Sequence, residues 1–241
     1  MRQGRELLLR AASDAIETIV VKGTNLVPFV RPDPQDVVRK VNTLSNGQFN
    51  LEQPSQFFDP RLLVDVLDEV ASDYTRSTQL IVTGSGGASG SLGLPGLALD
   101  VPVLVSAAVG LVRRHALAYG FTDIEEAKGD SAPLLVAFGA ALGAEGAIAR
   151  VTTRIAAGAT GETMERLLAR VVSEELAAKL VASWIPRAVP VISSVTSAAL
   201  DYLFLREVGR RSARYFRRRH LLVRRQLAAS APPPPALGPG E

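Results

Sequence analysis

The sequence predicts an all-α protein, a single multi-helix globular domain with a Gly-rich loop and a long basic amphipathic C-terminal helix. Hydrophobic residues make up 47% of the 241 residues but aromatic residues only 5%. The apolar surface is therefore mostly that of Ala, Leu and Val, which favours closely packed helices over β-sheet. The predicted domain covers residues 1–226, and a disordered Pro-rich tail covers residues 227–241.

Two helices are predicted in the first fifty residues. Apolar residues recur at helical spacing over Arg5–Lys22, which predicts the first helix. Asp33 and Pro34 have the residue types of an N-cap and a first helical position, so a short helix is predicted from there to a turn at Asn46-Gly47.

A third helix is predicted to begin at Asp59-Pro60, because apolar residues then recur every three or four positions while acidic residues take the opposite face. The inward residues are Leu63, Val66, Leu67, Val70 and Tyr74. The glycines from Leu80 to Gly96 predict that this helix gives way to a loop, since glycine disfavours a regular helix.

The segment Val103–Ala118 is apolar on nearly every face, which predicts a helix at the centre of the domain. Asp100 and Pro102 have the residue types of its N-cap and first turn. Two arginines and His115 near its end predict that the C-terminal end reaches water. A further helix is predicted over Ser131–Leu142.

The later part of the chain continues the helical pattern. Helices are predicted over Glu145–Ala156 and Glu162–Val181, and a long last helix follows Pro190.

The glycine-rich loop has some features of a dinucleotide-binding loop, but the pattern is incomplete. Gly84 and Gly86 are followed by Ser89 where G-x-G-x-x-G requires a third glycine, and no later strands alternate with helices. No serine of the loop lies in a G-x-S-x-G motif. One enzyme alternative stays open, a hydrolase that uses the Gly-rich loop with Asp100 and His115.

Reactive side chains are scarce. The chain has no cysteine and two histidines, His115 and His220, which excludes disulfides, thiolate zinc sites and a cysteine nucleophile. We expect no catalytic residue, no metal and no cofactor. No stretch of about 20 residues reads as a spanning helix, so no transmembrane segment is predicted and a cytoplasmic location is the default.

The strongest signal is arginine near the C-terminus. Nine arginines and one glutamate lie between Arg206 and Arg225, whereas the net charge of the whole chain is +3. On a helical wheel eight of them share one broad sector, opposite a mostly apolar one. The eight are Arg206, Arg210, Arg211, Arg214, Arg217, Arg218, Arg224 and Arg225. The apolar sector contains Val208, Tyr215, Phe216, Leu222 and Val223.

This helix has two interpretations. In the first, the arginines bind the anionic headgroups of a membrane surface, or a membrane protein complex. In the second, the apolar sector packs on the domain and the arginines are a solvated flank. Nucleic acid is not expected as a partner, because aromatic residues are few and no helix-turn-helix or zinc module is present.

Several short motifs, in order, resemble the EcsC family. They are Leu94-Pro95-Gly96, Leu99-Asp100-Val101-Pro102, Ala118-Tyr119-Gly120, Trp184-Ile185-Pro186, the Ser/Ala-rich stretch Val191–Leu200, and the last helix around Ala213, Phe216 and Arg217. The resemblance covers roughly Leu62 to Leu222. Its motif residues are Gly93, Gly96, Asp100, Pro102, Tyr119, Gly120 and Pro186.

The resemblance implies a helical bacterial protein whose family takes its name from a gene beside an ABC-transporter pair involved in export. It implies no specific activity. Together with the basic helix, it leads us to expect a non-enzymatic, cytoplasmic accessory protein, peripheral at the inner face of the cell membrane.

Overall fold

The computed structural model describes residues 32–85, 93–122, 132–144 and 194–230, and residues 6, 9–10, 13–14, 18–19, 146 and 178 individually. The four continuous ranges form five α-helices and one 3-10 helix, and no described residue lies in a β-strand. The all-α prediction is confirmed. Three predicted helices lie mostly outside the described residues: Arg5–Lys22, Glu145–Ala156 and Glu162–Val181. The residues described individually at 6, 9–10, 13–14, 146 and 178 are helical.

Helix α1 covers Pro34–Leu44, as the sequence predicts. The Asp33 side chain accepts a hydrogen bond of 2.9 Å from the Gln35 amide and so caps the first turn. Asn46 and Gly47 have positive φ angles of 54° and 68°, which makes the predicted turn and reverses the chain.

Helix α2 covers Val64–Ser85 and begins later than predicted. A 3-10 helix, Pro54–Phe58, precedes it. Asp59 caps a separate turn, because its carboxylate accepts a 2.9 Å hydrogen bond from the Arg61 amide. Leu63 therefore lies before the helix and is 69% exposed, contrary to its predicted inward position.

The prediction of a loop from Leu80 to Gly96 is largely wrong. Helix α2 continues through Leu80 to Ser85, and α3 already begins at Gly93. Val82 is buried, so packing there offsets the cost of a nearby helical glycine, about 1 kcal/mol. The remaining part of the predicted loop, residues 86–92, lies outside the described residues. A dinucleotide-binding loop follows a β-strand, whereas the residues before these glycines are helical in this structure.

Helix α3 covers Gly93–Ala118. Asp100 is not its N-cap, because the helix starts seven residues earlier, and Pro102 lies inside it. Proline removes one backbone hydrogen bond, but the unbroken buried stretch that follows, residues 104–112, favours continuing the helix. The C-terminal end does not reach water either, since His115 is fully buried.

Helix α4 covers Ala132–Ala141 and confirms the helix predicted over Ser131–Leu142. Helix α5 covers Ser194–Ser230, which is about 55 Å at 1.5 Å per residue. It extends past residue 227, where the disordered tail was predicted to begin. None of the described helices has the length and hydropathy to cross a membrane.

Helices α2, α3 and α5 pack together as the centre of the described fold, with α4 against α3 and α5, and α1 against α2 and α3. Contacts between α2 and α5 join Asp68 to Arg217 and Gln79 to Tyr202, so these helices are antiparallel. Helix α3 runs parallel to α5, because His115 meets Ser212 and Tyr119 meets His220.

Candidate functional site

His115 joins the three central helices and is closed to solvent. Its Nε2 lies 2.9 Å from the Ala71 carbonyl oxygen of α2, which can only accept, so Nε2 carries the proton. Its Nδ1 lies 2.6 Å from the Ser212 hydroxyl of α5 and accepts from it. Burial lowers the pKa of His115 to about 4. The ring is therefore neutral at pH 7 and serves as a connection between helices.

The hydrolase pair suggested by the sequence is not supported. Asp100 and His115 lie on the same helix fifteen residues apart, which separates them by about 22 Å along its axis. Ser212, the hydroxyl beside His115, has no exposed surface, and neither has the histidine. A nucleophile must meet its substrate, so this serine and histidine have no access to one.

Tyr119 and Gly120 end α3 in a tightly packed corner. The Tyr119 hydroxyl donates a 2.6 Å hydrogen bond to Asp68 of α2. Burial raises the pKa of this hydroxyl, and the hydrogen bond to Asp68 raises it further. Gly120 has a φ of +88°, and a Cβ there would lie 2.9 Å from the Pro54 carbonyl oxygen. Asp68 also accepts from Arg217 at 2.9 Å, so this corner ties α2, α3 and α5 together.

His220 of α5 completes the same corner. Its Nδ1 donates to the Tyr119 carbonyl oxygen at 2.9 Å, and its ring stacks on Phe58 with 4.9 Å between centroids. Its Nε2 is buried and has no hydrogen-bond partner among the described residues. Burial lowers the pKa of His220, which keeps the ring neutral.

Half of the eight predicted arginines form ion pairs or hydrogen bonds with other described residues. Arg210 and Arg211 both bond to Glu207, at 2.6 and 2.5 Å, and these hydrogen bonds lower the pKa of Glu207 to about 2. Arg217 pairs with Asp68. Arg224 donates to the backbone oxygens of Leu62 and Pro60 at 3.1 and 2.5 Å, beyond the N-terminus of α2.

The other four arginines form what we call the cationic face. Each is exposed and makes no ion pair with a carboxylate of the described residues. They lie within about 120° of each other around α5. The cationic face consists of Arg206, Arg214, Arg218 and Arg225.

Helical geometry turns three of the four arginines of the cationic face to one side of Arg217, whereas Arg206 lies within about 20° of it. Arg217 faces α2, because it pairs with Asp68. Arg214, Arg218 and Arg225 lie about 60–100° further round α5 from Arg217. These three side chains therefore leave α5 in a different direction from that of Arg217.

Apolar side chains lie among these arginines. The helical wheel did not predict that each of these apolar side chains would be exposed. Leu222 was expected on the buried sector but is 50% exposed, whereas Val208 and Phe216 are buried as predicted. A groove of about 390 Å³ runs along this part of α5. Its described lining is Arg214, Arg217, Arg218, Leu221, Leu222 and Arg225.

Comparison with known families decides the relationship. The model of the EcsC protein family matches residues 35–221, more than three quarters of the chain. The chain belongs to the EcsC family. The match begins upstream of the expected Leu62 and ends beside the expected Leu222. No curated protein and no solved structure matches the chain.

The EcsC motif residues have different positions in this fold. Gly93, Gly96, Asp100 and Pro102 belong to the first half of α3. Tyr119 and Gly120 form the corner with α2 and α5. Pro186 lies outside the described residues.

Two residues of this region, Glu207 and Asp68, were not predicted from the sequence. Glu207 could have been found, because it precedes two arginines by three and four residues, the spacing of helical ion pairs. Asp68 pairs with a residue 149 positions away. No local signal in the sequence points to that contact.

Proposed function

We propose that this EcsC protein is a non-enzymatic binding protein that attaches peripherally to anionic membrane surfaces through the cationic face of α5. The proposal rests on one observation: Arg206, Arg214, Arg218 and Arg225 are exposed on one side of the helix without carboxylate partners among the described residues. Unpaired guanidinium groups in a row match phosphate headgroups, which accept two hydrogen bonds from each guanidinium.

The size of the electrostatic effect supports this reading. A basic residue near an anionic membrane surface contributes about 1 kcal/mol, so four provide about 4 kcal/mol, enough for reversible attachment. Residues 206–225 extend about 28 Å along α5, so the arginines can contact several headgroups at once. Exposed Leu222 adds apolar area beside them.

The proposal extends to place and process. The protein acts at the inner face of the cell membrane as an accessory factor, with a membrane protein complex such as an export transporter as its neighbour. The neighbourhood of the family's founding gene suggests this process. The cationic face would then bring the protein to the lipid around such a complex.

Vesicle co-sedimentation tests the proposal. The intact protein is expected to pellet with vesicles containing phosphatidylserine, and to remain in solution with purely zwitterionic vesicles. The variant Arg214→Glu/Arg218→Glu should lose most of the pelleted fraction, because both side chains then repel the headgroups. High salt should release the bound wild type, since screening weakens exposed charge interactions.

A matched control separates this face from net charge. Arg39→Glu/Arg61→Glu makes the same charge change at exposed positions on and beyond α1, with side chains 69% and 78% exposed. We expect this variant to pellet nearly as wild type does. Equal loss in both variants, or equal pelleting of the Arg214/Arg218 variant and wild type, would remove the cationic face as the membrane-binding site.

A further inference from the structure

Apolar side chains are exposed where α2 and α5 meet, beyond the cationic face. Leu80 of α2 is 71% exposed, and Tyr202 and Leu203 of α5 are 42% and 51% exposed. We call these three residues the apolar patch. Such side chains usually find a cover in a soluble helical domain, because exposing them loses the free energy of burial.

A hydrogen bond fixes the two halves of the apolar patch beside each other. Gln79 is buried and donates from Nε2 to the Tyr202 carbonyl oxygen at 3.1 Å. Leu80 directly follows Gln79, and Leu203 directly follows Tyr202. The two helices therefore present their exposed leucines from one rigid junction.

The charges next to the apolar patch indicate what covers it. Arg206 lies one helical turn after Tyr202 and Leu203, is exposed, and makes no ion pair with a carboxylate of the described residues. A surface with leucine and tyrosine at one end and arginine beside them matches the bilayer interface, where acyl chains meet anionic headgroups. Tyrosine favours this depth, because its ring is apolar and its hydroxyl remains hydrated.

From this arrangement we infer that the apolar patch inserts into the bilayer interface while the cationic face binds the headgroups. The inference rests on the proposed function and adds an orientation to it. The junction of α2 and α5 enters the membrane, and α5 then lies along the surface with Arg206 nearest the patch. The bound chemistry is an anionic glycerophospholipid bilayer.

A single fluorescent label measures this insertion. The chain has no cysteine, so Leu203→Cys gives one site for an environment-sensitive nitrobenzoxadiazole dye. With phosphatidylserine-containing vesicles we expect a blue shift, at least a twofold rise in emission, and quenching by lipids brominated on their acyl chains. The same dye at Arg39→Cys, an exposed position on α1, should keep its aqueous emission.

A second variant tests the energetics without a label. Leu80→Ser/Leu203→Ser removes apolar groups from exposed positions, so the fold should be retained, which circular dichroism checks. We expect its partition into the same vesicles to fall about tenfold. Its remaining binding should still be released by salt, because the arginines are intact.

The outcomes separate the two proposals. Salt-sensitive vesicle binding with an aqueous dye at position 203 would overturn the insertion and leave the cationic face standing. No vesicle binding by wild type would overturn the proposed function and the insertion together. A blue shift that grows with protein concentration in the absence of vesicles would overturn the bilayer as occupant and assign the patch to a second copy of this chain.

Discussion

At the scale of single residues, His115 stabilises this fold only while it is neutral. Its Nε2 donates to a carbonyl of α2 and its Nδ1 accepts from a hydroxyl of α5. An imidazolium ion would have two donors, and Nδ1 could no longer accept from Ser212. No carboxylate among the described residues contacts the ring to compensate the charge, and burial and the nearby Arg114 both disfavour it.

Mild acid should therefore destabilise the protein through its histidines. The pKa of His115 is about 4 in the fold, below its ordinary value of 6.5, so the unfolded chain binds the proton first as pH falls. Its contribution is complete above pH 6.5 and declines from there towards pH 4. Between pH 7 and pH 5 the free energy of unfolding should drop by about 2 kcal/mol from this residue, as measured by urea denaturation.

Two controls isolate this effect. His115→Gln should be less stable at pH 7 but show a smaller loss between pH 7 and pH 5. Asp59 and Glu207 have pKa values of about 2 in the fold, below their ordinary values, so their contributions are lost at lower pH. A wild type that is equally stable at both pH values would contradict a neutral buried His115.

Gly120 offers a second prediction at this scale. Gly120→Ala should destabilise the protein by about 2–3 kcal/mol, because the backbone has a positive φ and the new Cβ would lie 2.9 Å from the Pro54 carbonyl oxygen and 3.1 Å from Phe58. Gly47→Ala is the matched control, with φ of +68° and no atom within 4 Å of its Cβ. We expect about 1 kcal/mol there. Equal losses by thermal unfolding would show that packing at Gly120 contributes nothing.

At the scale of elements, α2 and α5 approach closely at Gly209. A Cβ at this position would lie 2.6 Å from both Cγ2 and Oγ1 of Thr75. The absence of a side chain thus allows the contact next to Ser212, which bonds to His115. The close approach holds the three central helices at the spacing that their hydrogen bonds require.

Gly209→Ala should therefore destabilise the protein, although alanine favours helix over glycine by about 1 kcal/mol. We expect a net loss of about 1–2 kcal/mol in urea denaturation, since overpacking a filled interface costs more than the helix gains. Combining it with Thr75→Ala removes both clashing atoms. The double variant should show a coupling energy above about 1 kcal/mol, and strict additivity would argue against the clash.

Helix boundaries show where local sequence patterns predict a start correctly and where they do not. The start of α1 was predicted correctly, because Asp33 and Pro34 act on the backbone within one turn. The start of α3 was predicted wrongly at Asp100, because the helix continues backward through Pro95 to Gly93. The capping residue types at Asp100 and Pro102 therefore do not mark the start of this helix.

At the scale of the whole molecule, the arginines of α5 fall into two groups. Some bond to other groups of the fold, and others are exposed without a carboxylate partner among the described residues. Arg210, Arg211 and Arg217 are paired with carboxylates, and Arg224 bonds to backbone oxygens just before the N-terminus of α2. The four arginines of the cationic face alternate with these along α5. The helix packs on the domain, as the second interpretation expects, and it also presents cations without carboxylate partners among the described residues, on which the proposed membrane contact depends.

The sequence by itself determined the helical class, the EcsC relationship and the position of the basic helix. These follow from composition, from spacing along one helix and from short motifs in order, all of which are local properties of the chain. Only the tertiary structure decided which arginines are paired, why His115 is closed to solvent and which leucines stay exposed. Those outcomes depend on contacts such as Asp68 with Arg217 and Gln79 with Tyr202, whose partners are 149 and 123 residues apart. Periodicity along one helix carries no information about the partner that a distant helix brings to it.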